Sequence, residues 1–180
     1  YWNDISAAAP HTDFIIYNIP QLAGVALTPS LLREMKKNPR VIGVKNSSMP
    51  VQDIQMFHDE GVIVFNGPDE QFISGLAAGA VGGIGGTYAA MPELFIKARE
   101  LFYEGKIEAA GAVQNDICRI IYKMCSTHGN MYAAIKEIIR IQGGPDVGSV
   151  RAPLAELIEE DKLIAQECAK MIEEAVKKYC

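Results

Sequence analysis

Four short apolar runs, separated by helix-like stretches, set the narrowest limit on what this chain can fold into. They cover residues 14–19, 41–44, 62–65 and the Gly-rich 81–87. The first, Phe-Ile-Ile-Tyr-Asn-Ile, is β-branched and aromatic and stops at Pro20. The runs are continuous rather than alternating, which is the mark of strands covered on both faces. Between the first two, Thr28 and Pro29 supply a cap and an early Pro ahead of Leu31, Leu32 and Met35, so a helix is expected to start there and to end by Asn38-Pro39. Further helices are expected over 50–58, 72–80 and 93–103. The order β-α-β-α-β-α-β-α predicts a parallel sheet with right-handed crossovers. Four such units make half of an eight-fold barrel or a small doubly wound sheet.

After residue 106 no strand pattern remains. Residues 107–126, 131–142 and 158–179 read as helices with long apolar faces, broken at Gly143-Gly144-Pro145 and Arg151-Ala152-Pro153. The expected organisation is therefore α/β, with βα units over 1–106 and a helical extension over 107–180 that caps a barrel or forms an oligomer surface.

Composition narrows the function. The 180 residues suffice for one sizeable core, and 49% hydrophobic with 22% charged residues is the balance of an ordinary globular protein. A net charge of −5 argues against nucleic acid, which needs clustered Lys and Arg. No apolar run is long enough for a membrane span. No leader of basic then apolar residues is visible, and the start at Tyr1-Trp2-Asn3-Asp4, without an initiator Met, points to something missing upstream. Cys118, Cys125, Cys168 and Cys180 form no CxxC pair; the first two fall on one helix face and read as small core residues. His11, His58 and His128 have no ligand spacing, so no metal is expected. Reduced thiols without a metal fit the cytoplasm.

Lys45 carries the chemistry. It follows an apolar strand directly and so stands at the strand's carboxyl end, where parallel α/β folds bind ligands. An apolar wall penalises the charged form of a Lys, and a neutral amine can add to a ketone to give a Schiff base. On residue type alone, a Lys with its head in solvent would be the plainer reading. Tyr17 shifts the balance. It occupies the same relative place on the preceding strand, and neighbouring strands lie about 4.8 Å apart. Alternation puts Tyr17 with Ile15, and Lys45 with Gly43, on one face of each strand. A phenol there can move a proton; a core Tyr satisfied locally remains the alternative.

Together, Tyr17-Asn18-Ile19-Pro20 followed by Gly24, Ile42-Gly43-Val44-Lys45, Gly82-Gly83-Ile84-Gly85 and Val150-Arg151-Ala152-Pro153-Leu154 resemble the motifs of the N-acetylneuraminate lyase/dihydrodipicolinate synthase family. The resemblance runs along nearly the whole chain. It implies a class I aldolase on a (β/α)8 TIM barrel with a C-terminal helical extension, usually a homotetramer. It also implies that Lys45 is the Schiff-base lysine and Tyr17 the proton-relay tyrosine, with no cofactor beyond that covalent imine. The synthase branch typically carries an Arg where this chain has Leu22, with Arg33 on the following helix. The lyase branch carries Gly-x-Asp-Glu after the seventh strand, and here Gly67-Pro68-Asp69-Glu70 stands in that place. Two carboxylates suit hydrogen bonding to sugar hydroxyls; helix N-terminal acids stabilised by the dipole are the compatible structural reading. Ser47 replaces the usual Thr two residues after the lysine, and Gly86 replaces a Ser. By resemblance, Ser47, Gly67, Asp69, Glu70 and Gly86 line the sugar end of the substrate.

In the family the Tyr strand is the fifth, so this chain is expected to carry strands 5–8 and to lack strands 1–4. Half a barrel exposes strand edges and an open interior. Pairing with a second copy or with a missing half is expected, and little activity alone. The expected reaction is cleavage of a 2-keto-3-deoxy sugar acid to pyruvate and an aldehyde. The alternatives are a dihydrodipicolinate synthase or another pyruvate aldolase, an inert structural fragment, and a non-catalytic phosphate-binding module built on residues 79–86.

Overall fold

The β-branched runs pair as expected: β1 (Phe14–Asn18), β2 (Val41–Asn46), β3 (Ile63–Asn66) and β4 (Gly82–Gly83) form one parallel sheet in the order β1-β2-β3-β4. The computed structural model describes residues 2–180. Tyr1, which the sequence pattern joins to a helix tail over 1–8, lies outside the described residues. Helices α1 (Trp2–Ala8), α2 (Pro20–Ala23), α3 (Pro29–Met35), α4 (Gln52–Asp59) and α5 (Phe72–Ala77) accompany the strands. Thr28 caps α3 as its sequence position implies, its hydroxyl accepting from Leu31 N–H at 3.2 Å.

The two faces of the sheet differ. Ile16, Val44 and Val64 are buried with Leu32, Ile54 and Phe57 from α3 and α4. Burying a side chain of this kind is worth about 1.5–3 kcal/mol, so this face holds the first unit together. The opposite face carries Ile15, Tyr17 and Ile63, which are 40%, 49% and 43% exposed. Continuous apolar runs thus meet helices on one face only among the described residues. β2 also runs two residues beyond the apolar pattern, because Lys45 and Asn46 pair with Tyr17 and Asn18 on one side and Phe65 and Asn66 on the other. The Gly-rich stretch supplies only two strand residues, since glycine has no side chain to pack on a pleated surface.

Packing divides the chain into two compact units, one ending at Gly85 and one spanning Gly86–Cys180. The strand pattern stops at 106, but α6 (Pro92–Tyr103) packs with α7 (Ile107–Met124) and α9 (Glu159–Tyr179), and so groups with the helical unit. α8 (Met131–Ile141) completes it. On α7, Val113, Ile117, Ile120, Ile121 and Met124 are buried at helical spacing, and on α9 Ala165, Cys168, Ala169, Ile172 and Ala175 are. Cys168 is a core residue whose burial pushes its thiol up to about 11. Cys125 is exposed at the end of α7 and Cys118 half-buried, so the expected pair of core thiols is not formed: each follows directly on a stripe residue, Met124 and Ile117, and lies on the flank of the apolar stripe. Among the described residues no helix is long and apolar enough to cross a membrane.

One carboxylate ties the helical unit. Asp161, in the first turn of α9, is fully buried and accepts from the backbone N–H groups of His128 (2.8 Å), Gly129 (3.0 Å) and Ile158 (3.1 Å), with the His128 ring at 3.0 Å. Burial pushes the Asp161 pKa up, but the bonds from His128, Gly129 and Ile158 outweigh it and hold the carboxyl well below its usual range. A depressed folded-state pKa stabilises above the unfolded value of about 4, and that contribution is lost as pH falls toward the folded value. Asp161→Asn should lower the melting temperature at neutral pH, followed by circular dichroism. The deficit relative to the parent chain should narrow between about pH 5 and pH 2.

Candidate active site

Strand register builds the site. Tyr17, Lys45, Phe65 and Gly82 are Cα partners in one row across the sheet, near the carboxyl ends of the strands. Because successive residues of a strand point to opposite faces, this row lies on the open face. Lys45 Nζ sits 3.9 Å from the centroid of the Tyr17 ring. The amine therefore meets the phenol ring through its face. A cation over an aromatic face gains about 0.5–1 kcal/mol at an exposed site and more when desolvated. Lys45 is half-buried, and the next residue back on its face, Gly43, adds no side chain beside it.

Ser47 and Gly67 come together beside that row. Ser47 N–H donates to Asn18 O at 2.8 Å, and Gly67 N–H to Asn46 O at 2.8 Å. A Cβ on Gly67 would lie 2.8 Å from Ser47 Cα and overlap its hydroxyl, so only glycine allows this approach. Asp69 and Glu70 open a short 3-10 turn, Asp69–Gln71, that leads into α5. Asp69 is buried and Glu70 half-buried. The turn before them is pinned by Asn66 Nδ2, which donates to Pro68 O at 2.7 Å. Gly85 leaves Asp69 its place: a Cβ there would stand 2.5 Å from Asp69 Cγ. Gly86 begins the helical unit, where a Cβ would lie 2.6 Å from Cε1 of Tyr132; the ring takes the space that a serine side chain would need.

Several residues near the site have other duties. Leu22 is 81% exposed and brings no charge to the position that an Arg holds in the synthase branch. Arg33 pairs with Glu60 at the end of α4. Within 79–86, the N–H groups of Gly79, Ala80, Val81 and Ile84 donate to Leu76, Gly75, Val64 and Asn66 carbonyls. That stretch spends these amides on the fold rather than presenting them as a phosphate cradle.

Residue types alone gave no sign of the second row. Asn18, Asn46 and Asn66 are partners directly after the first row, and all three are buried on the helix-facing side. Asn18 Nδ2 donates to Asn46 Oδ1 at 2.7 Å. The available signal was the recurrence of Asn as the next residue after Tyr17, Lys45 and Phe65.

The sequence model of the Dihydrodipicolinate synthetase family matches residues 1–175. An N-acetylneuraminate lyase of Mediterraneibacter gnavus is 62% identical over 99% of this chain and 58% of its own length. The wild-type sialic acid aldolase of Ruminococcus gnavus superposes with a TM-score of 0.97 at 61% identity, covering 100% of this chain and 61% of that one. A catalytic lysine mutant of the same aldolase superposes equally well, with a TM-score of 0.97. The N-acetylneuraminate lyase of Fusobacterium nucleatum complexed with pyruvate gives 0.86 at 28% identity, covering 96% of this chain and 58% of that one. The chain thus spans about 58–61% of the length of these relatives.

The Gly85–Asp69 contact sets a test of the carboxylate's seat. Gly85→Ala should cost about 1–3 kcal/mol in chemical denaturation, the usual range for overpacking, whereas Gly82→Ala, with no atom within 4 Å of the added Cβ, should cost less.

Proposed function

Since the chain belongs to the dihydrodipicolinate synthetase family, we propose that it supplies strands 5–8 and the C-terminal helices of a Schiff-base sialic acid aldolase, with Lys45 as the imine-forming amine. The observation that carries this reading is Lys45 Nζ held 3.9 Å from the Tyr17 ring centroid at the carboxyl end of a parallel sheet. The Ruminococcus gnavus aldolase, at 61% identity, has a catalytic lysine. The residue-based assignment to Lys45 agrees with a lysine-dependent reaction.

The chemistry follows from an amine and a nearby phenol. The Lys45 lone pair adds to the C2 ketone of a 2-keto-3-deoxy sugar acid such as N-acetylneuraminate, and water leaves to give a protonated imine. The C3–C4 bond breaks, its electron pair moving into the imine to form an enamine. The C4 hydroxyl gives up its proton, which Tyr17 relays, and becomes the aldehyde. Protonation of the enamine at C3 and hydrolysis return the free amine and pyruvate. Ser47, Gly67, Asp69, Glu70 and Gly86 are assigned to the sugar end. Asp69 and Glu70 act as acceptors for hydroxyls. A synthase activity is less well supported, because Leu22 offers no cation and Arg33 is engaged by Glu60.

On resemblance, we also read residues 1–106 as barrel and 107–180 as the extension of a cytoplasmic homo-oligomer. Imine formation asks less of the chain than turnover does, so trapping is the direct test. Borohydride with pyruvate should give a stable mass adduct mapped to Lys45, and Lys45→Met should abolish it; an adduct elsewhere, or none, refutes the assignment. Tyr17→Phe keeps the ring and removes the proton carrier. It should leave trapping intact and slow deuterium exchange into the pyruvate methyl group, followed by NMR, by about 10²–10⁴-fold.

A further inference from the structure

Beneath the Tyr17–Lys45 pair, on the buried side of the sheet, runs an ordered chain of hydrogen bonds. Leu27 N–H donates to Asn18 Oδ1 at 3.0 Å, Asn18 Nδ2 to Asn46 Oδ1 at 2.7 Å, Asn46 Nδ2 to Ser48 Oγ at 2.8 Å, and Ser48 Oγ to Asp53 Oδ2 at 2.6 Å. Asn18, Asn46 and Ser48 are 4%, 0% and 4% exposed, so these groups depend on one another. The direction of the chain is set at its end. An ionised carboxylate only accepts. Ser48 has one proton and two acceptors in reach, Asp53 Oδ2 at 2.6 Å and Asn46 Oδ1 at 3.0 Å. The charge-assisted bond is the stronger, so the proton goes to Asp53. Ser48 Oγ then accepts from Asn46, which turns the Asn46 carbonyl toward Asn18 and the Asn18 carbonyl toward Leu27.

Burial alone does not ask for this. One position back on the same face, Ile16 and Val44 fill the interior with hydrocarbon. Along β1 and β2 this face turns polar in the row directly after Tyr17 and Lys45, where buried amides are costly unless they are hydrogen-bonded, as Asn18 and Asn46 are. Each amide anchors the strand residue next to a reacting side chain. With Asn18 and Asn46 held under the sheet, Tyr17 and Lys45 must project from the other face, and a slip of one residue would exchange the two rows.

We propose that Asn18, Asn46, Ser48 and Asp53 form a positioning relay that holds Lys45 against Tyr17, with the Asp53 charge on α4 setting its direction. None of the four touches substrate; they act through the strand ends. The proposal rests on the reading of Lys45 as the reactive amine, and misplacement of a reacting group by about 1 Å can cost about 10²-fold in rate.

The test compares the unmodified chain with Ser48→Ala, Asp53→Asn and Ser48→Thr, each checked for folding by circular dichroism. The first readout is independent of pyruvate. It is competitive acetylation of Lys45 by acetic anhydride relative to Lys170, whose side chain is 75% exposed. The second is the rate of borohydride trapping with pyruvate. Ser48→Ala should make Lys45 acetylate several-fold faster relative to Lys170 and slow trapping by about 10-fold to 100-fold. Ser48→Thr, which keeps the hydroxyl, should restore both. Asp53→Asn preserves the side-chain volume and should reproduce the Ser48→Ala shifts, which covers the case in which Ser48→Ala does not fold. A folded Ser48→Ala or Asp53→Asn chain with unchanged Lys45 acetylation overturns the relay. If the unmodified chain traps no pyruvate while acetylation still shifts, the relay stands and the assignment of Lys45 as imine former fails.

Discussion

Parallel register between β1, β2 and β3 is the constraint on which the rest of the first unit depends. It sets two rows back to back: Tyr17, Lys45 and Phe65 on the open face, Asn18, Asn46 and Asn66 on the buried one. Both rows follow from the period of two along a strand. The hydrocarbon beneath, Ile16, Val44 and Val64, resists a slip because it would have to move into water. The Tyr17–Lys45 row and the core side chains are thus selected by the same pairing.

The backbone extends this order past the strands. Ser47 donates to Asn18, Gly67 to Asn46 and Ile84 to Asn66, each residue bonding to the end of the strand before it. The loops that carry the assigned sugar-end residues therefore start from defined points. Asn66 then ties Pro68, and Gly85 yields space to Asp69. The acids at 69 and 70 thus follow a turn whose main-chain geometry is fixed, with a glycine leaving room for the first of them.

Much of this was legible in the residues. β-branched runs, the Thr28 cap and the helical tail all declare themselves through periodicity and turn chemistry, and Tyr17 and Lys45 through equivalent places on successive strands. What stayed hidden depends on partners distant in sequence. The last two residues of β2 are strand only because neighbours on both sides pair with them. The asparagines read as strand-ending polar residues, and nothing in an isolated Asn announces that its amide will meet another twenty-eight positions away. The helix α6 continues the βα alternation in sequence, yet its buried Leu94, Phe95 and Ala98 belong to the helical unit. The ring of Tyr132 at Gly86 joins residues that no local pattern links.

β4 consists of two glycines, paired with Phe65 and Asn66. That edge of the sheet therefore ends in bare peptide. Next to the aromatic ring at 65 the sheet is one main chain wide, and no side chain at Gly82 stands on its open face. The clearance on this flank is decided by backbone placement, with no atom within 4 Å of where a Cβ on Gly82 would stand. A substituent larger than a proton at Gly82, the one of the two in the row of Phe65, would stand on the open face in a way that no rotamer change could reverse.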